Sequence, residues 1–196
     1  MNESFDVLIV GVGGQGTILA SNVLGEACLI EERHVMSAET HGMAQRGGSV
    51  ESHVRIDGIF GPLISPGTAD LIIAFDMLEA LRYRHFLKED GRMIVNSAVV
   101  IPTSAFQKDL PVPSHDEILT RLGTPVPCVI DAAGIALEAG SILAQNIVML
   151  GAASHYLPLL PDSLTRAVRA LVPPKTVEIN VRAFDMGRDA ARGCGT

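Results

Sequence analysis

A glycine-rich turn near the amino terminus carries the first pattern that could do chemistry. Gly11, Gly13 and Gly16 form a GxGxxG pattern that follows the apolar run Phe5–Val10 and opens the segment 17–30. Glycines allow a tight turn and a close approach of backbone to ligand, and the first N–H groups of a helix attract phosphate. The turn therefore indicates a dinucleotide site, a contact with some other phosphate or cofactor, or a purely structural bend.

A second unusual segment runs from Thr40 to Gly48 and reads THGMAQRGG. It combines His41, Gln45 and Arg46 with small residues, which let the backbone come close to another molecule. Arginine offers a planar fork of N–H donors that suits carboxylate or phosphate. We therefore expect either a contact loop at a cofactor or subunit interface, or a plain surface connection.

These two segments supply the candidate contacts with a cofactor or a partner. They are Gly11, Gly13, Gly14, Gln15, Gly16, His41, Gln45, Arg46, Gly47 and Gly48. We assign no catalytic residue and no metal ligand, because the sequence contains no HExxH, GxSxG or P-loop lysine pattern. Its three cysteines, Cys28, Cys128 and Cys194, include no CxxC pair, so the chain alone is not expected to hold an iron–sulfur cluster or a zinc ribbon.

The elements around these segments alternate between strand and helix. Apolar runs at 5–10, 70–75, 93–96 and 128–131 predict buried strands, and His34–Ser37 predicts a short strand that completes a βαβ unit. Ser49–Ile56 alternates between apolar and polar residues, and Asp57-Gly58 favours a hairpin with Ile59–Ile64 as the returning strand. We therefore predict an α/β fold: a Rossmann-like, open, mostly parallel sheet with helices on both faces and an inserted antiparallel hairpin.

Other elements follow from the same patterns. Helices are predicted over 17–30, 77–87, 132–140, 141–156 and 176–191, Glu89–Gly91 is predicted as a turn, and 101–127 as a surface connection. We expect the glycine turn, Asp76 and Asn96 to meet beyond the carboxyl ends of the strands, where open α/β sheets bind ligands. Asp76 and Asp131 are expected to cap helices, and Asn146 is expected to make a packing hydrogen bond.

Length and composition limit the classes of protein that remain. The 196 residues suit one domain, predicted over 1–192 with a flexible tail at 193–196. Hydrophobic residues make up 47%, only 19% are charged, and the net charge is −7. These values argue against a disordered chain and against a nucleic-acid binder, which would show a basic cluster. Without a signal peptide or an unbroken apolar span, and with an odd number of cysteines, we expect a cytoplasmic protein away from membranes, in a reducing compartment.

Several of these segments together resemble one family. Val7–Ala20 is similar to the opening of the gamma-type domain of 2-oxoacid:ferredoxin oxidoreductases. Met43–Val50 resembles the second signature of that domain in the form found in the indolepyruvate branch. Further matches, in the same order as in the family, are Pro66–Asp70, Phe75–Glu79, Asn146–Ala152 and Asn180–Phe184. Ala44 and Gln45 replace the bulkier and acidic residues of pyruvate-type members, which favours the arylpyruvate branch.

The resemblance implies a subunit that carries no cofactor of its own. Thiamine diphosphate and [4Fe-4S] clusters would belong to an alpha-type catalytic subunit, which performs the coenzyme A-dependent oxidative decarboxylation and passes electrons to ferredoxin. This chain would support that site, with contacts to coenzyme A left open, and we expect it to be inactive when isolated. A chain this apolar is also expected to bury a large interface, with its companion or in a homodimer when the companion is missing.

Three other functions remain open at this stage. A stand-alone oxidoreductase binding NAD(P) or flavin would need Glu39 to hold the ribose at the end of the second strand. An adenylating activator of ubiquitin-like proteins would fit the GxGGxG form of the turn, but it would need a lysine soon after Arg46, and the next one is Lys88. The third alternative is a non-enzymatic interaction subunit unrelated to oxoacid chemistry.

Overall fold

A computed structural model describes residues 4–41, 48–101 and 111–194 of the chain. In these ranges six strands form one mixed sheet: β1 Phe5–Val12, β2 Val35–His41, β3 Ser49–Ile56, β4 Ala69–Ala74, β5 Leu87–Asn96 and β6 Cys128–Ile130. Their spatial order is β2-β3-β1-β4-β5-β6. The pairs β1–β4, β4–β5 and β5–β6 are parallel, whereas β3 is antiparallel to both β1 and β2.

Seven α-helices accompany this sheet in the described ranges. They are α1 Thr17–Ile30, α2 Met77–Tyr83, α3 His115–Leu122, α4 Ala132–Ala139, α5 Gln145–Ala153, α6 Pro161–Leu171 and α7 Val177–Ala190. Short 3-10 turns occupy Arg84–Phe86, Ile142–Ala144 and Pro174–Thr176. No helix in these ranges combines the length and the apolar character that crossing a bilayer requires.

Both faces of the sheet are packed by apolar side chains. Because side chains alternate along a strand, Val7 and Ile9 of β1 point to one face and Leu8 and Val10 to the other. The first face is covered by α1 and by the helices α4 to α7, and the second by α2 and α3. This two-sided burial explains the continuous apolar run of β1 and confirms the predicted α/β fold class.

Helices α5 and α7 pack against each other at unusually short range. A Cβ atom built on Gly151 of α5 would overlap the carbonyl oxygen of Phe184 in α7, and one built on Gly187 would overlap the carbonyl oxygen of Val148. The two glycines thus bring the two helix backbones into direct contact.

The antiparallel insertion is present, but its predicted partner strand is wrong. β3 pairs with β2 and β1, so both of its edges are taken, and residues 59–64 form no strand. Asp57 instead forms hydrogen bonds with the two residues that precede β2. Its N–H donates to the carbonyl oxygen of His34 (2.8 Å), and its carboxylate accepts two bonds from the Arg33 guanidinium (2.7 and 3.0 Å).

Five other expectations also need correction. The helix predicted over 77–87 ends at Tyr83, and Leu87 already belongs to β5. The strand predicted at His34–Ser37 is longer, and β3 separates it from β1, so the two do not form an adjacent βαβ pair. The turn predicted at Glu89–Gly91 lies inside β5, where the pairing with β4 is irregular. The surface connection 101–127 contains α3, which begins with a capping box between Ser114 and Glu117. The helix predicted from 141 starts as a 3-10 turn and ends at Ala153.

Two of the three cysteines are bonded to each other. Cys128 is buried, as predicted, but its sulfur joins that of Cys194, 66 residues away in the sequence. The hydroxyl of Tyr156 also donates to the carbonyl oxygen of Cys194. The first two residues of the predicted tail are thereby held against β6. Cys28 is a free, fully buried thiol in α1.

Candidate functional site

The glycine turn lies where the order of the sheet reverses direction. From β1 the chain runs to β2 and β3 on one side of the sheet and then to β4 and β5 on the other. In open α/β sheets, ligands sit beyond the carboxyl ends of the strands at such a switch point. A cleft of about 150 Å³ opens here, lined by Gly14, Gln15, Phe75, Asn96, Ile142, Leu143, Gln145, Asn146 and Met149.

Gln15 fills the concave side of the turn with its own side chain. Its Oε1 accepts from the N–H of Val12 (2.7 Å), and its Nε2 donates to the carbonyl oxygen of Phe75 (3.2 Å), at the end of β4. The N–H of Gln15 itself donates to the carbonyl oxygen of Val12 (3.0 Å). A phosphate at the turn would have to compete with these internal bonds, whereas the N-terminal end of α1 receives no side-chain cap.

Two asparagine side chains, Asn96 and Asn146, line the cleft. Asn96 donates to the carbonyl oxygen of Phe75 (3.2 Å) and accepts from the N–H of Ala132 (3.2 Å), which ties β5 to β4 and α4. Asn146 donates to the carbonyl oxygen of Gly16 (3.3 Å), which confirms its packing role.

Asp76 is fully buried, and its carboxylate accepts from the N–H groups of Leu78 (2.8 Å), Glu79 (3.1 Å) and Val100 (2.5 Å). Burial raises the pKa of this carboxyl despite those bonds. The predicted caps at Asp76 and at Asp131, which accepts from the N–H of Gly134 (3.0 Å), are confirmed.

The second predicted segment is joined to the glycine turn at one point. The N–H of Gly13 donates to the carbonyl oxygen of Gly48 (2.9 Å). His41 ends β2, and Gln45, Arg46 and Gly47 lie outside the described residues. The two predicted groups of site residues are therefore neighbours, although their role as contacts stays a prediction.

Polar side chains hold both ends of this segment. Thr40 donates to Oε1 of Glu51, and Ser49 donates to Oε2 of the buried Glu79 (2.5 Å) and lies 3.0 Å from the hydroxyl of Tyr83. Arg82 pairs with the other oxygen of Glu79 (3.2 Å). The positions where the chain enters and leaves 42–47 are thus fixed by two carboxylates on neighbouring elements.

One residue at this edge was missed from the sequence. Leu143 is 86% exposed at the rim of the cleft, between Ile142, which is also exposed, and a buried Ala144. An apolar run such as Ile142–Ala144 gives no sign of which member will face solvent, because a 3-10 turn does not follow the periodicity of an α-helix. Leu143 therefore places an exposed apolar side chain at the cleft that Gly14 and Gln15 also line.

A larger groove of about 660 Å³ lies elsewhere, at the amino end of β6 beside Cys128 and Cys194. Its position is opposite to the edge at which such sheets bind ligands, so we assign the functional site to the smaller cleft. In the described ranges, His, Cys, Asp and Glu side chains form no group of three or more suited to a metal ion.

Comparison with known proteins identifies the family. The profile of the pyruvate ferredoxin/flavodoxin oxidoreductase family matches residues 6–190. The chain belongs to this family. It is 40% identical to "Indolepyruvate oxidoreductase subunit IorB" of Methanothermobacter thermautotrophicus, over 96% of this chain and 98% of that protein. The IorB of Archaeoglobus fulgidus is 41% identical over 95% and 94%.

More distant family members share the fold and the length. A "2-oxoglutarate synthase subunit KorC" of Methanothermobacter marburgensis is 27% identical over 94% of this chain and 95% of that protein. The solved structure of the gamma subunit of a keto/oxoacid ferredoxin oxidoreductase from Geobacter sulfurreducens is also 27% identical. It matches with a TM-score of 0.72 over 95% of this chain and 98% of that one.

These findings confirm the family and the subunit role that the sequence resemblance implied. The chain is a small subunit of a 2-oxoacid:ferredoxin oxidoreductase complex. The alternative of a stand-alone NAD(P) or flavin enzyme gains no support. Its ribose-binding candidate, Glu39, lies on β2, which β3 separates from the glycine strand by two strand spacings, or about 10 Å.

Proposed function

We propose that the complex containing this chain oxidises indolepyruvate or a closely related arylpyruvate, with transfer of the acyl group to coenzyme A and of electrons to ferredoxin. One observation carries the choice of substrate. Identity reaches 40% and 41% with two IorB proteins over nearly the whole chain, against 27% with the 2-oxoglutarate synthase subunit.

The redox chemistry belongs, in this proposal, to an alpha-type companion subunit with thiamine diphosphate and [4Fe-4S] clusters. The cysteines of this chain support that division. Cys128 and Cys194 are bonded to each other, and burial raises the pKa of Cys28 to about 12. Cluster ligation requires thiolates, and this thiol is poorly placed to ionise.

In this proposal, the chain contributes a rigid surface at the carboxyl ends of its strands, which its companion contacts. Gln15 and Asn96 both donate to the carbonyl oxygen of Phe75, which fixes the carboxyl ends of β1, β4 and β5 as one rigid platform. The bond from Gly13 to Gly48 attaches the 40–48 segment to this platform. We infer that Arg46, with Gln45 and the following glycines, contacts the companion or the phosphates of coenzyme A.

Co-purification with the companion subunit tests the proposal. The complex should reduce ferredoxin with indolepyruvate in a reaction that requires coenzyme A, while the isolated chain shows no turnover. Pyruvate and 2-oxoglutarate should give kcat/KM values lower by about ten-fold or more, since their side chains would leave an aryl pocket unfilled.

The controls separate the parts of this claim. Turnover by the isolated chain would refute the subunit role of the protein. A complex that prefers 2-oxoglutarate or pyruvate would refute the substrate assignment alone. Titration of the isolated chain into NADH should leave the emission of the nicotinamide itself unchanged, because a dinucleotide would have to displace the bonds that Val12 and Gln15 make within the turn.

A further inference from the structure

The two edge strands of the sheet, β6 and β2, differ in length and in what lies beside them. β6 has only three residues, and the disulfide from Cys128 to Cys194 holds the end of the chain beside it. β2 has seven residues in unbroken register with β3 and contains no proline. No strand of the described ranges pairs with its outer side. Long, regular edges without proline, bulge or lysine are those that pair with another chain.

The direction of each backbone group of β2 follows from the pairing. The N–H of Asp57 donates to the carbonyl oxygen of His34, and this pair continues the register of β2 and β3 by one position. Hydrogen-bonded pairs alternate in an antiparallel ladder. Met36, Ala38 and Thr40 therefore bond to β3, whereas the N–H and C=O groups of Ser37 and Glu39 point away from the sheet.

A second ladder gives the same assignment independently. The bond from Gly13 to Gly48 continues the register of β1 and β3. In β3, Ser52 and Val54 must then bond toward β1, which leaves His53 and Arg55 to bond toward Ala38 and Met36 of β2. The outward direction at Ser37 and Glu39 thus follows from two bonds on two different strands.

We propose that the outer edge of β2 pairs with the same edge of a second copy of this chain, antiparallel and around a twofold axis at Ala38. In this register all seven residues of Val35–His41 are paired, because Val35 lies opposite the partner's His41 and Ala38 lies opposite its own copy. The outward-pointing Ser37 lies opposite the partner's Glu39, as a hydrogen-bonded pair requires. The two sheets then continue as one.

Charge selects this register over its neighbours. A twofold axis at Glu39 would place two carboxylates directly opposite each other, and like charges in that position are destabilising. An axis at Ser37 would leave Thr40 and His41 of each copy without a partner in β2. With the axis at Ala38, the exposed hydroxyl of Ser37 meets the exposed carboxylate of Glu39 twice, once on each side of the axis. The edge is therefore complementary to itself.

The mass of the full chain in solution, measured by analytical ultracentrifugation, tests the proposal together with three charge variants. Ser37→Glu places a glutamate opposite the partner's Glu39 on each side of the axis and should weaken the dimer by about ten-fold or more. Ser37→Lys places a lysine there instead and should tighten the dimer several-fold. The double variant Ser37→Glu, Glu39→Lys restores opposite charges and should recover the dimer. Ser65→Glu and Ser65→Lys, at an exposed serine outside the sheet, are the matched controls and should change nothing.

A cross-link tests the register itself. Ala38→Cys places two sulfurs opposite each other at the axis and should give a covalent dimer under mild oxidation, whereas Ser37→Cys should not, because Ser37 faces Glu39. A monomer at the highest soluble concentration would overturn the proposal. So would a dimer that the variants at Ser37 leave unchanged, or variants that weaken only the binding of the companion subunit.

Discussion

The glycine turn and the 40–48 segment are joined by one hydrogen bond, yet they differ in where their polar groups are directed. In the turn, the N–H groups of Val12, Gly13 and Gln15 all reach acceptors within the chain. In the other segment, the side chains of Thr40 and Ser49 hold the two ends, and the residues between them are rich in donors and glycine. A glycine pattern thus predicts the bend of a cofactor loop, whereas ligand binding depends on whether its N–H groups are still available.

Substitution of Arg46 has the largest expected effect and tests whether the 40–48 segment contacts another molecule. Arg46→Ala should weaken assembly of the complex or raise KM for coenzyme A by an amount equivalent to about 2–5 kcal/mol, because a desolvated partner charge would lose its counterpart. Arg46→Lys should recover only part, since lysine lacks the bidentate fork. Titration of the companion subunit and steady-state kinetics measure both quantities.

The isolated Arg46→Ala chain should unfold at the same temperature as the wild type. Arg166→Ala, at an exposed arginine on α6, serves as the control for loss of positive charge. Wild-type assembly and kinetics in the Arg46→Ala complex would show that the 40–48 segment is only a connection, and the contrast with the glycine turn would disappear.

Substitution of Gly16 tests whether the glycine turn is packed tightly against Asn146. Its φ is +83°, and a Cβ atom there would lie 2.5 Å from Nδ2 of Asn146. Gly16→Ala should therefore lower the free energy of unfolding by about 2–4 kcal/mol, from backbone strain together with overpacking. Urea denaturation measures the change.

Gly14→Ala is the matched control, because its φ is also positive (+104°) but nothing lies within 4 Å of the added carbon. It should lose only the strain, about 1–2 kcal/mol. Adding Asn146→Ala to Gly16→Ala should restore part of the loss. Equal losses at both glycines would mean that Asn146 does not press on the turn.

Substitution of Gln15 shows whether its amide stabilises the fold or contacts a ligand. Gln15→Ala removes the acceptor for the N–H of Val12 and one donor to the carbonyl oxygen of Phe75, which should destabilise the isolated chain by about 1–3 kcal/mol. If Gln15 instead served a ligand, the isolated variant would keep its stability and only the complex would lose activity. Thermal unfolding of the isolated chain and assay of the complex separate the two results.

His53 gives the smallest effect and belongs to β3, beyond the 40–48 segment. It is buried, and its Nδ1 accepts from the N–H of Ile64 (3.1 Å). Burial lowers its pKa below the usual value, which outweighs the opposite effect of Glu51. Below about pH 6.5 the unfolded chain therefore takes up a proton that the folded chain resists, and stability falls as the pH falls.

His53→Asn keeps an acceptor at the position of Nδ1 without a titrating ring. Its free energy of unfolding should change less than that of the wild type as the pH is lowered below about 6.5. Parallel pH profiles for the two proteins would show that His53 is not responsible.

Local patterns predicted those parts of the fold that depend on neighbouring residues. Helix α1 has the predicted bounds, because the glycine turn marks its start and apolar spacing fills its buried face. The hairpin predicted at Asp57-Gly58 failed because β1 and β2 occupy both edges of β3, and no local pattern encodes those distant pairings. Helix α3 could have been found, since Ser114 and Glu117 have the spacing of a capping box.

The location of the candidate site was predictable from the sequence, but the hydrogen bonds within it were not. The motif placed the turn at the carboxyl end of β1, and Asn96 lies in the same cleft as expected, whereas Asp76 is buried and caps α2 without lining the cleft. That Gln15 folds back onto the backbone depends on the carbonyl of Phe75, 60 residues away, and on the space beside Gly11. Likewise, the pairing of Cys128 with Cys194 requires the path of the last helix, which sequence spacing does not reveal.

The contact between Gly151 and Gly187 has a consequence for the order in which the molecule opens. Two helices whose backbones touch cannot slide or tilt without losing that contact along the whole pair, so α5 and α7 should separate only in a cooperative event. Their amide hydrogens should then exchange with deuterium last, at the rate of global unfolding, whereas those of β2 exchange earlier in a monomer. The carboxyl-terminal helix pair would therefore open later than the sheet edge at β2.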